Sequence, residues 1–82
     1  MTDQEILDTC SRVLGELLDN DTLVLTMATR RHDVPDWNSL AYINFIAAIE
    51  VEFAVNFGIL DVELFEDVGA IVRRIQALRA KK

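Results

Sequence analysis

The stretch at residues 33–45, DVPDWNSLAYINF, decides how the rest of the chain is read. Pro35 and Trp37 lead into Asn38 and Ser39, after which the sequence turns almost wholly apolar. Asn and Ser are both favoured where a helix begins, because their side chains accept a hydrogen bond from a free backbone N–H. The junction therefore reads as a helix start. It also poses a chemical question, since nothing nearby would activate the serine. Either Asn38 and Ser39 merely cap the helix, or the Ser39 hydroxyl is kept exposed as a handle for another enzyme.

The helix that follows is expected over residues 39–54. At about 100° per residue, Tyr42, Phe45, Ile46, Ile49 and Phe53 share one face, which is assigned to the core. The other face is unusual for a surface. It holds Leu40, Ile43, Ala47 and Val51, with only Asn44 and the flanking Glu50 and Glu52 for polarity. A helix this apolar all round is buried on both sides or docks partners with its outer face. A chain of 82 residues has little material to bury it twice, so docking is favoured.

Upstream, Thr2 with Glu5 three residues on has the pattern of a capping box. Ile6, Leu7, Cys10, Val13, Leu14, Leu17 and Leu18 then recur at helical steps and mark one buried stripe, broken by Asp19, Asn20 and Asp21. Residues 20–38 form a long connection in which Leu23, Val24, Leu25 and Met27 need burying. A strand has no partner in this chain, so a loop packed along helices, with a short turn, is expected. Downstream, residues 56–58 end the second helix, and Asp61 is expected to cap a short helix running through Glu66. Asp67 caps the last helix, over residues 68–80, whose stripe is Val68, Ile71, Val72, Ile75 and Leu78. Gly69 falls in its first turn, where glycine costs least. The expected core joins Phe45, Ile49 and Phe53 to Leu14, Ile71 and Ile75. The fold class is all-α: a small four-helix bundle of three main helices and one short one, with a long first loop, as a single domain over residues 1–82.

Charge is unevenly spread along the sequence. Residues 1–72 carry all 14 acids against Arg12, Arg30 and Arg31, a net −11, while residues 73–82 carry five bases and no acid. An acidic body repels nucleic acid and anionic lipid, so neither is expected as a partner. Arg73, Arg74, Arg79, Lys81 and Lys82 fall where cations favour the C-terminal end of a helix dipole. No window is long and uncharged enough to span a membrane. The opening residues lack a basic segment followed by an apolar run, and the single cysteine allows no internal disulfide. A cytoplasmic protein is expected.

Catalysis within the chain has little to work with. The one histidine, His32, lies in the loop seven residues before Ser39 and reads as a solvated residue, neither base nor metal ligand. Cys10 reads as a small core residue with no basic neighbour to lower its pKa. There is no glycine-rich phosphate loop and no Cys/His metal spacing. The chain is not read as an enzyme.

The whole constellation is more informative than any one motif. A long loop, then DWNSL opening a helix, then IEVEF about eleven residues later, resembles the acyl carrier protein family. That family has an Asp-Ser-Leu motif, often preceded by Trp, then a helix ending in a Glu-rich run and Phe. Trp37, Asn38, Ser39, Leu40, Glu50, Glu52 and Phe53 stand in those places, and the resemblance runs on through FEDVGAIVRRI near the end. It implies that Ser39 is the attachment point for 4′-phosphopantetheine, transferred from coenzyme A by a separate phosphopantetheinyl transferase using magnesium. The thiol of that arm would carry acyl groups as thioesters in fatty-acid, lipid, polyketide or other secondary-metabolite biosynthesis. A serine activated in another protein's active site needs no local base.

The implied partners besides the transferase are an acyl-loading ligase or transferase and a ketosynthase or acyltransferase of a dedicated pathway. They would dock on Asn38, Leu40, Ile43, Asn44, Ala47, Glu50 and Val51, and the carrier is expected to be a monomer. Several residues depart from the family pattern. Asn38 replaces the usual Asp, Ala41 and Asn44 stand where acids are common, Val51 interrupts the glutamate run, and Ala54 replaces a frequent Gly. These departures imply a specialised, free-standing carrier. An aminoacyl or peptidyl carrier remains open, as does a carrier-like interaction domain that never bears the arm.

Overall fold

The computed structural model describes residues 1–80, which fold into helices α1 (Asp3–Leu18), α2 (Ser39–Phe53), α3 (Ile59–Leu64) and α4 (Val68–Ala80). A 3-10 turn, Arg31–Asp33, interrupts the long connection between α1 and α2. No strand occurs among the described residues. The all-α bundle read from the sequence is the one found.

α1 opens as its sequence dictates. The Thr2 hydroxyl accepts from the Glu5 N–H at 3.1 Å, and the Glu5 carboxylate accepts from the Thr2 N–H at 2.8 Å. The bond from the Thr2 N–H, joined by one from the Thr2 side chain to the same carboxylate, holds the Glu5 carboxyl below its ordinary pKa. α1 then packs against both α2 and α4. Ile6, Cys10, Leu14, Phe45, Ile49, Phe53, Ile71 and Ile75 are all buried at the centre, which matches the expected core. Leu17, placed on the α1 stripe by its spacing, instead lies exposed near the end of that helix.

The long connection is strapped down at several points. Leu25 is buried, and its N–H donates to the Ser11 hydroxyl of α1 at 3.0 Å. Further on, the Met27 and Thr29 carbonyls each accept a 2.8 Å bond, from the N–H groups of Gly69 and Val68. A helix leaves its first N–H groups without intrahelical partners, and here the loop supplies them. Asp67 completes the set by accepting from Ala70 N–H at 2.8 Å, the cap expected of it. Gly69 has a stronger reason to be glycine than its place in the first turn. A Cβ there would lie 2.7 Å from the Met27 carbonyl oxygen, so a side chain would push the loop off α4. Val24, expected to be buried, is 77% exposed. Leu23, Leu25 and Met27 turn inward and Val24 outward, the alternation of an extended chain, in which successive side chains point to opposite sides.

The short third helix begins earlier than the sequence suggested. Gly58 is its N-cap, and Asp61 lies within the first turn, reaching back to accept from Gly58 N–H at 3.1 Å. The helix stops at Leu64, short of Glu66. Phe57 and Phe65 pinch it from either end, their rings edge to face at 5.2 Å. The same Asp61 carboxylate accepts from Arg74 Nε at 3.1 Å, which ties α3 to α4.

The basic C-terminal segment works differently from a simple complement to its own helix dipole. Arg73 and Arg74 lie in the middle of α4, facing Asp67 and Asp61 respectively. Arg79, in the last turn, donates to the carbonyl of Phe53, so its charge sits at the C-terminal end of α2. Lys81 and Lys82 lie outside the described residues.

α2 ends one residue before the expected position, with Ala54 in the left-handed conformation at φ 54 and ψ 47. A side chain costs roughly 1–2 kcal/mol there, which is why glycine is usual at this cap. Ala54→Gly relieves that strain but adds freedom to the unfolded chain worth about 0.4–1 kcal/mol. The expected net result is a gain of about 0.5–1 kcal/mol, read as a higher midpoint in thermal or urea unfolding. A lower midpoint would show that the alanine is not strained.

Candidate functional site

The approach to Ser39 is built residue by residue. Val34 is buried, and its carbonyl accepts from Trp37 N–H at 3.3 Å, closing a β-turn over Pro35 and Asp36. Pro35 presets the second position of this turn, and Asp36 takes a positive φ of 69 at the third, as a type II turn requires. The turn drives Trp37 into the core, where its ring meets Phe45 edge to face at 5.3 Å. Asn38 follows as the N-cap of α2, its Oδ1 accepting from Ala41 N–H at 2.9 Å. Ser39 is the first residue of the helix proper, and it is exposed. Capping therefore belongs to Asn38 alone. The Ser39 hydroxyl has no hydrogen-bond partner among the described residues, which leaves it free to react.

Ser39 borders a cleft of about 460 Å³ that also takes in Arg30, Arg31, Tyr42, Glu63 and Glu66. The Arg31 guanidinium lies over the Tyr42 ring, 5.1 Å from its centroid, a cation–π arrangement. Tyr42 is half-buried, and its hydroxyl donates to the Val62 carbonyl of α3 at 2.9 Å. Burial raises its pKa, and the positive charge of Arg31 partly opposes that shift. His32 is exposed, with Nε2 3.6 Å from Asp33 Oδ1, and it shares the cleft with Ser39. Sequence reasoning did not single out Arg30, Arg31 or Tyr42 as neighbours of the serine. The available signal was RRH, the only adjacent bases in an otherwise acidic body.

The outer face of α2 is open. Leu40, Ile43 and Val51 are 69%, 61% and 83% exposed, and Asn44 and Ala47 are exposed beside them. Glu50 differs from its neighbours because its carboxylate turns back to accept from Phe57 N–H at 2.9 Å, fastening the chain between α2 and α3. Glu52 pairs with Arg12 of α1, which also pairs with Glu16. No acid lies in the first turn of α2. A groove of about 350 Å³ between α2 and α3 is lined by Ile43, Ile46, Ala47, Phe57, Ile59 and Val62, with Glu50 and Glu63 at its polar positions. Cys10 is buried, and burial pushes its thiol pKa up to about 12, so it is no nucleophile at neutral pH.

These features define a class: a small helical bundle that presents an exposed serine, unpaired among the described residues, at the start of its second helix. Among solved structures, the chain is similar to the holo acyl carrier protein from Geobacter metallireducens, determined in solution by NMR. The TM-score is 0.84 at 26% identity, over 93% of this chain and 87% of that one. No family model matches the chain, and no curated protein matches it. The chain is acyl-carrier-protein-like across that span, in agreement with the resemblance carried by WNSL and IEVEF. No helix among the described residues is long and apolar enough to cross a membrane.

The split between cap and hydroxyl is directly testable. Asn38→Ala removes the bond to Ala41 N–H and should cost about 0.5–2 kcal/mol in denaturant unfolding. Ser39→Ala removes a group with no partner and should change stability by less than about 0.5 kcal/mol. The reverse order would show that Ser39 is the cap.

Proposed function

We propose that the protein is a carrier of acyl groups, held as thioesters on a 4′-phosphopantetheine arm attached to Ser39. The observation that carries this reading is the free, exposed Ser39 hydroxyl at the first residue of α2, in a chain similar to a holo acyl carrier protein. The residues present fit the arm. The hydroxyl is unpaired among the described residues, it opens onto a cleft, and two arginines suited to a phosphate border the same cleft. The thiol of the arm supplies the thioester chemistry.

The chain itself has three tasks. Trp37 and Asn38 fix where α2 begins, Ser39 presents its oxygen, and the outer face of α2 meets partner enzymes. When the arm is attached, the Ser39 oxygen attacks the pantetheine-bearing phosphate of coenzyme A and adenosine 3′,5′-bisphosphate leaves, while the serine proton goes to a base of the phosphopantetheinyl transferase. His32 shares the cleft but makes no hydrogen bond to the hydroxyl. The expected partners are that transferase, using coenzyme A and magnesium, and a loading ligase, acyltransferase or ketosynthase of a dedicated fatty-acid, lipid or polyketide pathway. The test is intact mass after incubation with coenzyme A, magnesium and a broad-specificity transferase. The expected outcome is a gain of one phosphopantetheine group that Ser39→Ala abolishes. No gain, beside a control carrier that is modified, supports an interaction domain that never bears the arm.

Recognition by those partners is proposed to be more apolar than electrostatic. Glu50 and Glu52 are both engaged within the fold, whereas Leu40, Ile43, Ala47 and Val51 face outward. Charge steering over a Debye length of about 8 Å falls steeply with salt, while apolar contact does not. The modification rate should therefore weaken only modestly from low to moderate salt. Ile43→Glu should cut it by about tenfold or more, because it places an unpaired charge in the contact. A steep salt dependence with tolerance of Ile43→Glu would assign recognition to the acids instead.

A further inference from the structure

The basic pair beside Ser39 has no acidic partner among the described residues. Arg30 and Arg31 are two of the three bases in residues 1–72, and the third, Arg12, is taken by Glu16 and Glu52. Neither Arg30 nor Arg31 forms an ion pair among the described residues. Both border the same cleft as Ser39. Arg31 is placed by its position over the Tyr42 ring, and Tyr42 follows Ser39 by three residues in α2. Residues three apart on a helix are surface neighbours, so the stacked guanidinium lies on the serine's side of α2. Stacking uses the face of a guanidinium and leaves its N–H edge available.

We propose that Arg30 and Arg31 form a clamp for the phosphate that joins the arm to Ser39, holding the base of the arm in this cleft. This rests on the reading of Ser39 as the attachment site. A phosphodiester adds negative charge to a body that already carries a net −11 over residues 1–72. Glu63 and Glu66 also border the cleft and disfavour an anion anywhere in it except beside the arginines. The planar fork of arginine matches two phosphate oxygens at once, which a lysine cannot do. His32 is not required, because it lies close to Asp33.

The experiment compares apo and holo forms of the wild type with those of Arg30→Gln/Arg31→Gln, each verified by intact mass. The wild type is expected to melt a few degrees higher as holo than as apo. That rise should be absent in the double variant and partly restored in Arg30→Lys/Arg31→Lys. In the wild type, the Arg30 and Arg31 side-chain Nε–Hε resonances should shift on conversion to holo, a readout that needs no variant to fold. Full mass gain with unmoved arginine resonances and equal melting differences in all variants would overturn the clamp while leaving the carrier reading intact. Equal melting differences with slower modification of the double variant would also overturn it, by assigning the arginines to the transferase's surface. No mass gain in the wild type would remove the carrier reading, and the clamp with it.

Discussion

The two bonds from the Val68 and Gly69 N–H groups to the Thr29 and Met27 carbonyls hold the rest of the structure in register. Each partner lacks an alternative. The first N–H groups of α4 have no helical acceptor, and carbonyls pressed against a helix end are poorly placed to reach water. A connection as long as residues 19–38 would otherwise stay loose, since ordering each residue costs roughly 1–2 kcal/mol of backbone entropy. Leu25 fixes the loop to α1 through Ser11, and Gly69 lets it lie directly on α4. The loop is thus part of the bundle, as firmly tied as α3.

That constraint reaches Ser39 through a short chain of residues with one task each. Arg30 N–H donates to the Asp33 carboxylate at 2.9 Å and opens the 3-10 turn. Val34 anchors, Pro35 and Asp36 reverse the chain, and Trp37 wedges beneath Phe45 and Tyr42. The indole carries a cost. Its buried Nε1 has no hydrogen-bond partner among the described residues, a penalty of about 1–3 kcal/mol. Burying so large a ring offsets this, as does its edge-to-face contact with Phe45. Shape, not polarity, selects tryptophan here. A smaller residue would let the start of α2 shift, and with it the serine.

Much of this was legible in the sequence wherever the signal is local. The Thr2–Glu5 box, the Asn38 and Asp67 caps and the helical spacing of the core each lie within a few residues and survived folding unchanged. The four-helix layout followed from them. Contacts between distant segments left no such mark. Nothing near Gly69 announces that Met27 will press against it, and nothing near Glu50 announces the N–H of Phe57. Asp61 was misplaced as a leading cap because a carboxylate can cap from the front of a helix or reach back from its first turn, and sequence does not separate the two. Val24 was misplaced because hydrophobicity alone does not say which residues of an extended chain face inward. At the site, the serine and its cap were legible. The arginines beside it were not, because the loop's path over α2 depends on the distant bonds to α4.

The same bonds explain how α2 can afford so apolar an exterior. In a bundle this small, exposed leucine, isoleucine and valine invite slippage, because rotating the helix would bury one apolar face as readily as another. Apolar residues on both faces give α2 no clear inner side, yet its orientation is pinned from outside the helix. Trp37 and Asn38 fix its start, the Tyr42 hydroxyl fixes its side against Val62, Glu52 ties it to Arg12, and Glu50 with Arg79 secures its end. Polar bonds at the edges thus do the orienting that hydrophobic contrast does in most amphipathic helices. Once those bonds hold the helix, its outer residues are released from any structural duty. Leu40, Ile43 and Val51 can then remain exposed without loosening the fold, while Glu50 and Glu52 are engaged by Phe57 N–H and Arg12.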